Sequence, residues 1–115
     1  MKSLHLFVYG TLTDEEILYR LTKRPSGHFE IIEAKLPEYE RISTIKISKC
    51  DHGSSVDGRL ILNLTKKDLD FLDYYESCNP ENAESDEDNW YNRKMVTVIT
   101  KDKEKVDAFV YVPNF

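Results

Sequence analysis

Apolar residues along this chain recur with two different spacings, and the spacing changes mark the elements. Leu4-His5-Leu6-Phe7-Val8-Tyr9 is rich in strand formers and apolar on both parities, as in a strand covered on both faces. Gly10 interrupts it. Thr11-Leu12-Thr13-Asp14-Glu15-Glu16 then reads as a helix start, with Thr13 as N-cap and Glu16 closing a capping box. Ile17, Leu18 and Leu21 supply the apolar stripe, and Pro25-Ser26-Gly27 ends the helix. Residues 29–35 read as a strand, which Pro37 terminates. Residues 42–50 alternate, with Ile42, Ile45 and Ile47 among polar neighbours, and are expected to form one strand. After the turn at 51–55, Val56 to Leu64 carries Leu60, Leu62 and Leu64 on one parity and is expected to pair with the 42–50 strand. Thr65 caps a second helix, with Asp68 three residues on, running through Leu69, Phe71 and Leu72 to about Glu76. Residues 93–100 and 105–112 form a hairpin around a charged turn.

The resulting order is β-α-β-β-β-α-β-β, mostly strand with two short helices, which fits an α+β domain with a curved sheet or small barrel. Antiparallel neighbours are expected for the hairpins, while the first strand, followed by a helix, is free to lie parallel to one partner. No repeat or linker divides the chain, so residues 1–115 are expected to form a single domain.

Composition narrows the function. Hydrophobic residues make up 40% and charged residues 32% of the chain, an ordinary globular balance with no apolar run long enough to span a membrane. The opening MKSLHLFVYG has too short an apolar run for a signal peptide, so a cytoplasmic location is expected. The net charge of −5 is localised, because residues 76–90 hold six acids and no base. That run reads as a solvated loop, with a gate over a site as the alternative. No basic stripe of the kind a nucleic acid requires is visible. Cys50 and Cys78 are read as free thiols, and His5, His28 and His52 show no metal-binding spacing, so no metal site is expected.

The second helix carries the most pointed chemical signal. On a helical wheel Glu76 falls between Leu69 and Leu72, and Asp73 falls at the edge of the stripe those leucines define. Glu76 thus lies on the face that should meet the core. A carboxylate aimed inward is costly unless paired or used, and burial raises its pKa toward that of a proton-transfer group. The alternative is a frayed helix end with Glu76 in solvent. Asp68 and Asp70 read as capping or surface residues. The turn Tyr9-Gly10-Thr11-Leu12 joins a buried strand to a helix start, where backbone N–H groups can face an anion; a simple tight turn is the alternative. Tyr74 and Tyr75 flank Glu76, and Tyr91 follows the acidic run. Most of the seven tyrosines read as amphipathic packing residues, with one or two left to line a pocket. Arg93 either pairs with a carboxylate or is an exposed strand-start arginine.

These pieces, in this order, resemble the gamma-glutamylcyclotransferase-like superfamily. Leu6-Phe7-Val8-Tyr9-Gly10-Thr11-Leu12 looks like its N-terminal YG(S/T)L motif, and Val56-Asp57-Gly58-Arg59-Leu60 like its V-x-G-x-L strand. Leu72-Asp73-Tyr74-Tyr75-Glu76 is similar to its LDxxE helix end, and Tyr91-Asn92-Arg93 to its YxR. The likeness is greatest to the branch holding gamma-glutamylamine cyclotransferase and the plant avirulence-induced proteins. The resemblance implies a small mixed β-barrel with two flanking helices and a cavity at one end. It implies Glu76 as the catalytic glutamate. It also implies that the Tyr9–Leu12 loop, with Tyr91 nearby, binds the glutamyl moiety of a small γ-glutamyl substrate, and that 5-oxoproline is released without a cofactor. Ser77 stands where the family usually has Gly, and the stretch from Glu76 to Tyr91 is longer and more acidic than common. A non-catalytic metabolite-binding or interaction protein of the same fold is the competing expectation.

Overall fold

The computed structural model describes residues 4–43, 46–50, 53–75 and 91–113. Its elements are β1 (Leu4–Val8), a 3-10 turn (Thr11–Thr13), α1 (Glu15–Thr22), β2 (Glu30–Pro37), β3 (Tyr39–Ser43), β4 (Lys46–Lys49), β5 (Ser55–Leu64), α2 (Lys66–Tyr75), β6 (Tyr91–Thr100) and β7 (Lys105–Pro113). Five strands close into a barrel in the order β1-β5-β2-β6-β7, and β3 and β4 form a separate two-stranded sheet. The barrel is antiparallel except at the β1–β7 seam, where Leu6 and Phe7 lie parallel to Phe109 and Val110. The architecture is α+β, as the element pattern implied, and no described helix is long and apolar enough to cross a membrane.

Two hydrophobic cores explain why β1 is apolar on both parities. Phe7 points into the barrel with Leu60, Val98, Ala108 and Val110. Leu6 and Val8 point outward, against Leu18 of α1, Leu69 and Leu72 of α2, and Tyr111 of β7. Fully burying each such aliphatic side chain contributes about 1.5–3 kcal/mol, so β1 is covered by apolar packing on both sides.

Three local expectations are corrected. The N-cap of α1 is Asp14, whose carboxylate accepts from the Glu16 N–H at 3.0 Å. Thr13 is otherwise engaged, since its hydroxyl donates to the Gly10 carbonyl at 2.6 Å. The stretch 42–50 is not one strand but parts of a hairpin, with Tyr39 opposite Lys49 and Arg41 opposite Ile47. The hairpin starts at Glu38, which adopts a left-handed φ of 65° directly after Pro37. Accordingly β5 pairs with β1 and β2 rather than with that segment. Finally, the leucines of β5 do not share one face. Leu60 lies in the barrel core and Leu64 in the helix-side core. A register shift between Leu4 and Leu6, with Asn63 at φ 63°, inserts an extra β5 residue and turns Leu64 outward.

The capping box of α2 forms as expected. The Asp68 N–H donates to the Thr65 hydroxyl oxygen at 3.2 Å, and the Thr65 N–H donates back to the Asp68 carboxylate at 2.9 Å. Asp68 does more than cap. It is 1% exposed, and Arg24, just beyond α1, pairs with it at 3.0 Å. Burial by itself would raise its pKa, but the bonds from Thr65 and the Arg24 guanidinium outweigh that and hold the carboxyl below its ordinary value. This ion pair joins the end of α1 to the start of α2.

Candidate functional site at one end of the barrel

Strand directions gather the candidate residues. β1, β2 and β7 run one way, and β5 and β6 run the other. The end of β1 at Val8, the end of β7 at Pro113 and the start of β6 at Tyr91 therefore share one barrel mouth. Tyr9 and Gly10 leave β1 there, and Tyr91 enters β6 opposite Pro113.

Tyr111 is the hub of this end. Its backbone carbonyl accepts from the Tyr9 hydroxyl at 2.5 Å. Its own hydroxyl donates to Asp73 Oδ1 at 2.7 Å, and Arg93 Nη1 donates to Asp73 Oδ2 at 2.6 Å. One residue of β7 thus binds both the Tyr9 turn and the last turn of α2. Asp73 is 7% exposed. Burial is the largest influence on it and pushes its carboxyl above the ordinary value, while the Tyr111 hydroxyl and the Arg93 charge pull the other way without prevailing. The Arg93 guanidinium carbon also lies 4.9 Å from the centre of the Phe109 ring, a cation–π contact.

The turn after Tyr9 is closed by Gly10, whose carbonyl accepts from the Thr13 N–H at 3.0 Å as well as from the Thr13 hydroxyl. Leu12 is 4% exposed, its side chain committed to the helix-side core. Thr11 opens the 3-10 turn. The first N–H groups of any such turn have no acceptor within it. Glu76 and the acidic run lie outside the described residues, with α2 described as far as Tyr75. Tyr91 is placed by its backbone alone.

Gly58 explains its place in the V-x-G-x-L strand. A Cβ there would clash with the Val8 carbonyl and lie 2.6 Å from Cζ of Phe7, so the glycine lets β5 approach the very end of β1. A cleft of about 1290 Å³ is lined by Leu36 of β2, Tyr39 and Ile47 of the β3–β4 hairpin, Lys94 of β6 and Val112 of β7, among others.

Sequence reasoning left Arg93 open between two roles and set Asp73 at the edge of the apolar stripe; the structure pairs them. It did not find Tyr111, although the odd parity of Phe109 and Tyr111 in β7 marks a second covered face. Nothing in the linear pattern pointed to Arg24 as the partner of Asp68.

Fold and site together define a five-stranded α+β barrel of the gamma-glutamylcyclotransferase-like type, with a tyrosine-tethered turn and a buried acid at one mouth. Residues 6–115 match the family described as gamma-glutamyl cyclotransferase, AIG2-like, and the chain belongs to that family. It is 30% identical over 112 residues to a gamma-glutamylcyclotransferase and candidate RNase of Methanocaldococcus jannaschii, covering 94% of this chain and 45% of that protein. It is 27% identical over 109 residues to AIG2-like protein C of Arabidopsis thaliana, covering 93% of this chain and 57% of that one. The chain therefore spans about half the length of these curated relatives. Among solved structures, a solution structure from Arabidopsis thaliana superposes with a TM-score of 0.77 at 24% identity, over 99% of this chain and 64% of that one. A gamma-glutamyl cyclotransferase superposes with a TM-score of 0.72 at 18% identity, over 97% and 67%. At these identities the superpositions speak to the fold.

Proposed function

We propose that the protein is a γ-glutamyl cyclotransferase that releases 5-oxoproline from a γ-glutamyl amine or γ-glutamyl amino acid. The observation that carries this reading is the double attachment to Tyr111. The turn proposed to hold the glutamyl group, and the helix described as far as Tyr75, the residue before Glu76 in the chain, are tied to the same residue at the same barrel mouth. Family membership supports the reaction class.

The substrate's α-amine is mostly protonated at neutral pH, with a pKa of about 8, and cannot attack until it loses that proton. Glu76 takes it as general base. The freed amine attacks its own γ-carbonyl carbon, and a five-membered lactam closes through a tetrahedral intermediate. Glu76 then returns the proton to the departing amine nitrogen as the C–N bond breaks, and the second proton of the ring nitrogen passes to the released amine, which leaves as its ammonium. The sum is one substrate to two products, with no net proton or water consumed. Holding the chain in a near-attack conformer supplies much of the acceleration, and one positioned acid–base group adds roughly 10²–10⁴-fold. Backbone N–H groups of Gly10, Thr11 and Leu12 bind the α-carboxylate or the developing oxyanion. Tyr9 and Tyr91 orient the substrate.

The test is 5-oxoproline release from a panel of γ-glutamyl compounds by the wild-type protein and by Glu76→Gln. Release by wild type alone is expected, because an amide cannot accept the proton. Equal release by Glu76→Gln would refute the role of Glu76. A metabolite-binding protein of this fold would instead bind a panel member without releasing product.

A further inference from the structure

β1 and β5 part company at the candidate mouth. Their last paired residues are Val8 and Arg59, so the Tyr9 and Asp57 carbonyls lie beyond the β1–β5 ladder. Arg41, on β3 of the separate hairpin, reaches across this gap. Its Nη1 donates to the Tyr9 carbonyl and its Nη2 to the Asp57 carbonyl, each at 3.1 Å. Its guanidinium carbon lies 5.8 Å from the centre of the Tyr9 ring. A planar fork with fixed donor directions suits two carbonyls on diverging strands, and a single ammonium does not. The same place is tightened from the other side by Gly58 against Val8.

We propose that Arg41 is a positioning residue for the glutamyl-binding turn, setting the peptide plane at Tyr9 from which the Gly10–Leu12 N–H groups take their direction. The proposal rests on the reading of that turn as substrate-binding. The Tyr9 carbonyl belongs to the peptide whose N–H is that of Gly10. Fixing one end of that plane fixes the other, since the peptide is rigid about its C–N bond. Tyr9 is then held at two points, its hydroxyl by Tyr111 and its carbonyl by Arg41. The β3–β4 hairpin, which walls the neighbouring cleft through Tyr39 and Ile47, is coupled to the turn by the same side chain.

The experiment compares Arg41→Lys and Arg41→Met with wild type by amide hydrogen exchange and by steady-state kinetics on whichever γ-glutamyl compound the wild type consumes. The Thr13 N–H reports the turn, because it donates to the Gly10 carbonyl; the Leu18 N–H, bonded to the Asp14 carbonyl in α1, is the internal control. Both variants are expected to speed exchange at Thr13 and leave Leu18 unchanged. Both should lower kcat/KM roughly 10- to 100-fold, the size of effect that small misplacements produce. A hairpin staple without a positioning role would leave kcat/KM and Thr13 exchange at wild-type values, and that result overturns the proposal. So does full rescue by Arg41→Lys, which would reduce the role to charge. If the wild type releases no 5-oxoproline from any compound, the cyclotransferase reading falls, and Thr13 exchange alone decides whether Arg41 orders the turn.

Discussion

Replacing Asp73 tests whether the last turn of α2 is held by a buried acid or by an ion pair. Its carboxylate accepts from the Tyr111 hydroxyl at 2.7 Å and from Arg93 at 2.6 Å, with side-chain exposures of 10% for Asp73 and 20% for Arg93. Asp73→Ala strands both donors. Breaking a buried pair costs about 3–5 kcal/mol, and the partial access of Arg93 to water lowers the expected loss to about 2–4 kcal/mol. Asp73→Asn is milder. The amide oxygen can accept from Arg93 while its nitrogen donates to the Tyr111 oxygen once that hydroxyl turns, so about 1 kcal/mol is lost. The pH dependence separates the two explanations. Burial holds the Asp73 carboxyl above its ordinary value despite Arg93. Its contribution to stability is therefore fully present below the unfolded pKa of about 3.9 and is lost as pH rises through the folded value. Asn mimics the neutral acid, so the cost of Asp73→Asn should shrink between pH 4 and pH 8. Urea unfolding followed by far-UV circular dichroism measures this, a loss of about 3 kcal/mol moving the midpoint by roughly 1–3 M. A cost of Asp73→Asn that grows with pH would show that the Arg93 attraction outweighs burial and would refute the reasoning. A loss under about 1 kcal/mol for Asp73→Ala would show that the carboxyl does not anchor the helix.

Gly58→Ala should force β5 away from the end of β1, because the new Cβ meets the Val8 carbonyl and the Phe7 ring; a loss of about 1–3 kcal/mol is expected, with thermal unfolding as the check and an unchanged Tm as the contrary result. Asp68, held below its ordinary value by Thr65 and Arg24 against the effect of burial, contributes stability that is present above the unfolded pKa and lost as pH falls through the folded one. Asp68→Asn should therefore flatten the acid limb of the stability profile, and an acid limb identical to wild type would contradict the assignment.

Which segments become strands and which become helices was legible in the linear pattern, because a covered face imposes its period on the residues that line it. β1 needed apolar residues on both parities because Phe7 fills the barrel while Leu6 and Val8 meet the helices. The capping box at Thr65 and Asp68 was legible because capping bonds run between residues three apart in the chain. The hairpin at 39–49 was not, since it depends on a left-handed Glu38, which no residue preference announces. The outward turn of Leu64 depends on a bulge opposite another strand, and register between strands is absent from the periodicity of either. Charge partners were settled by tertiary packing. Arg24 with Asp68, Arg93 with Asp73, and Arg41 with Tyr9 lie 44, 20 and 32 residues apart. Periodicity tells a side chain which face it occupies, but only the packing of helices and hairpin around the closed barrel brings distant faces together and selects which groups meet.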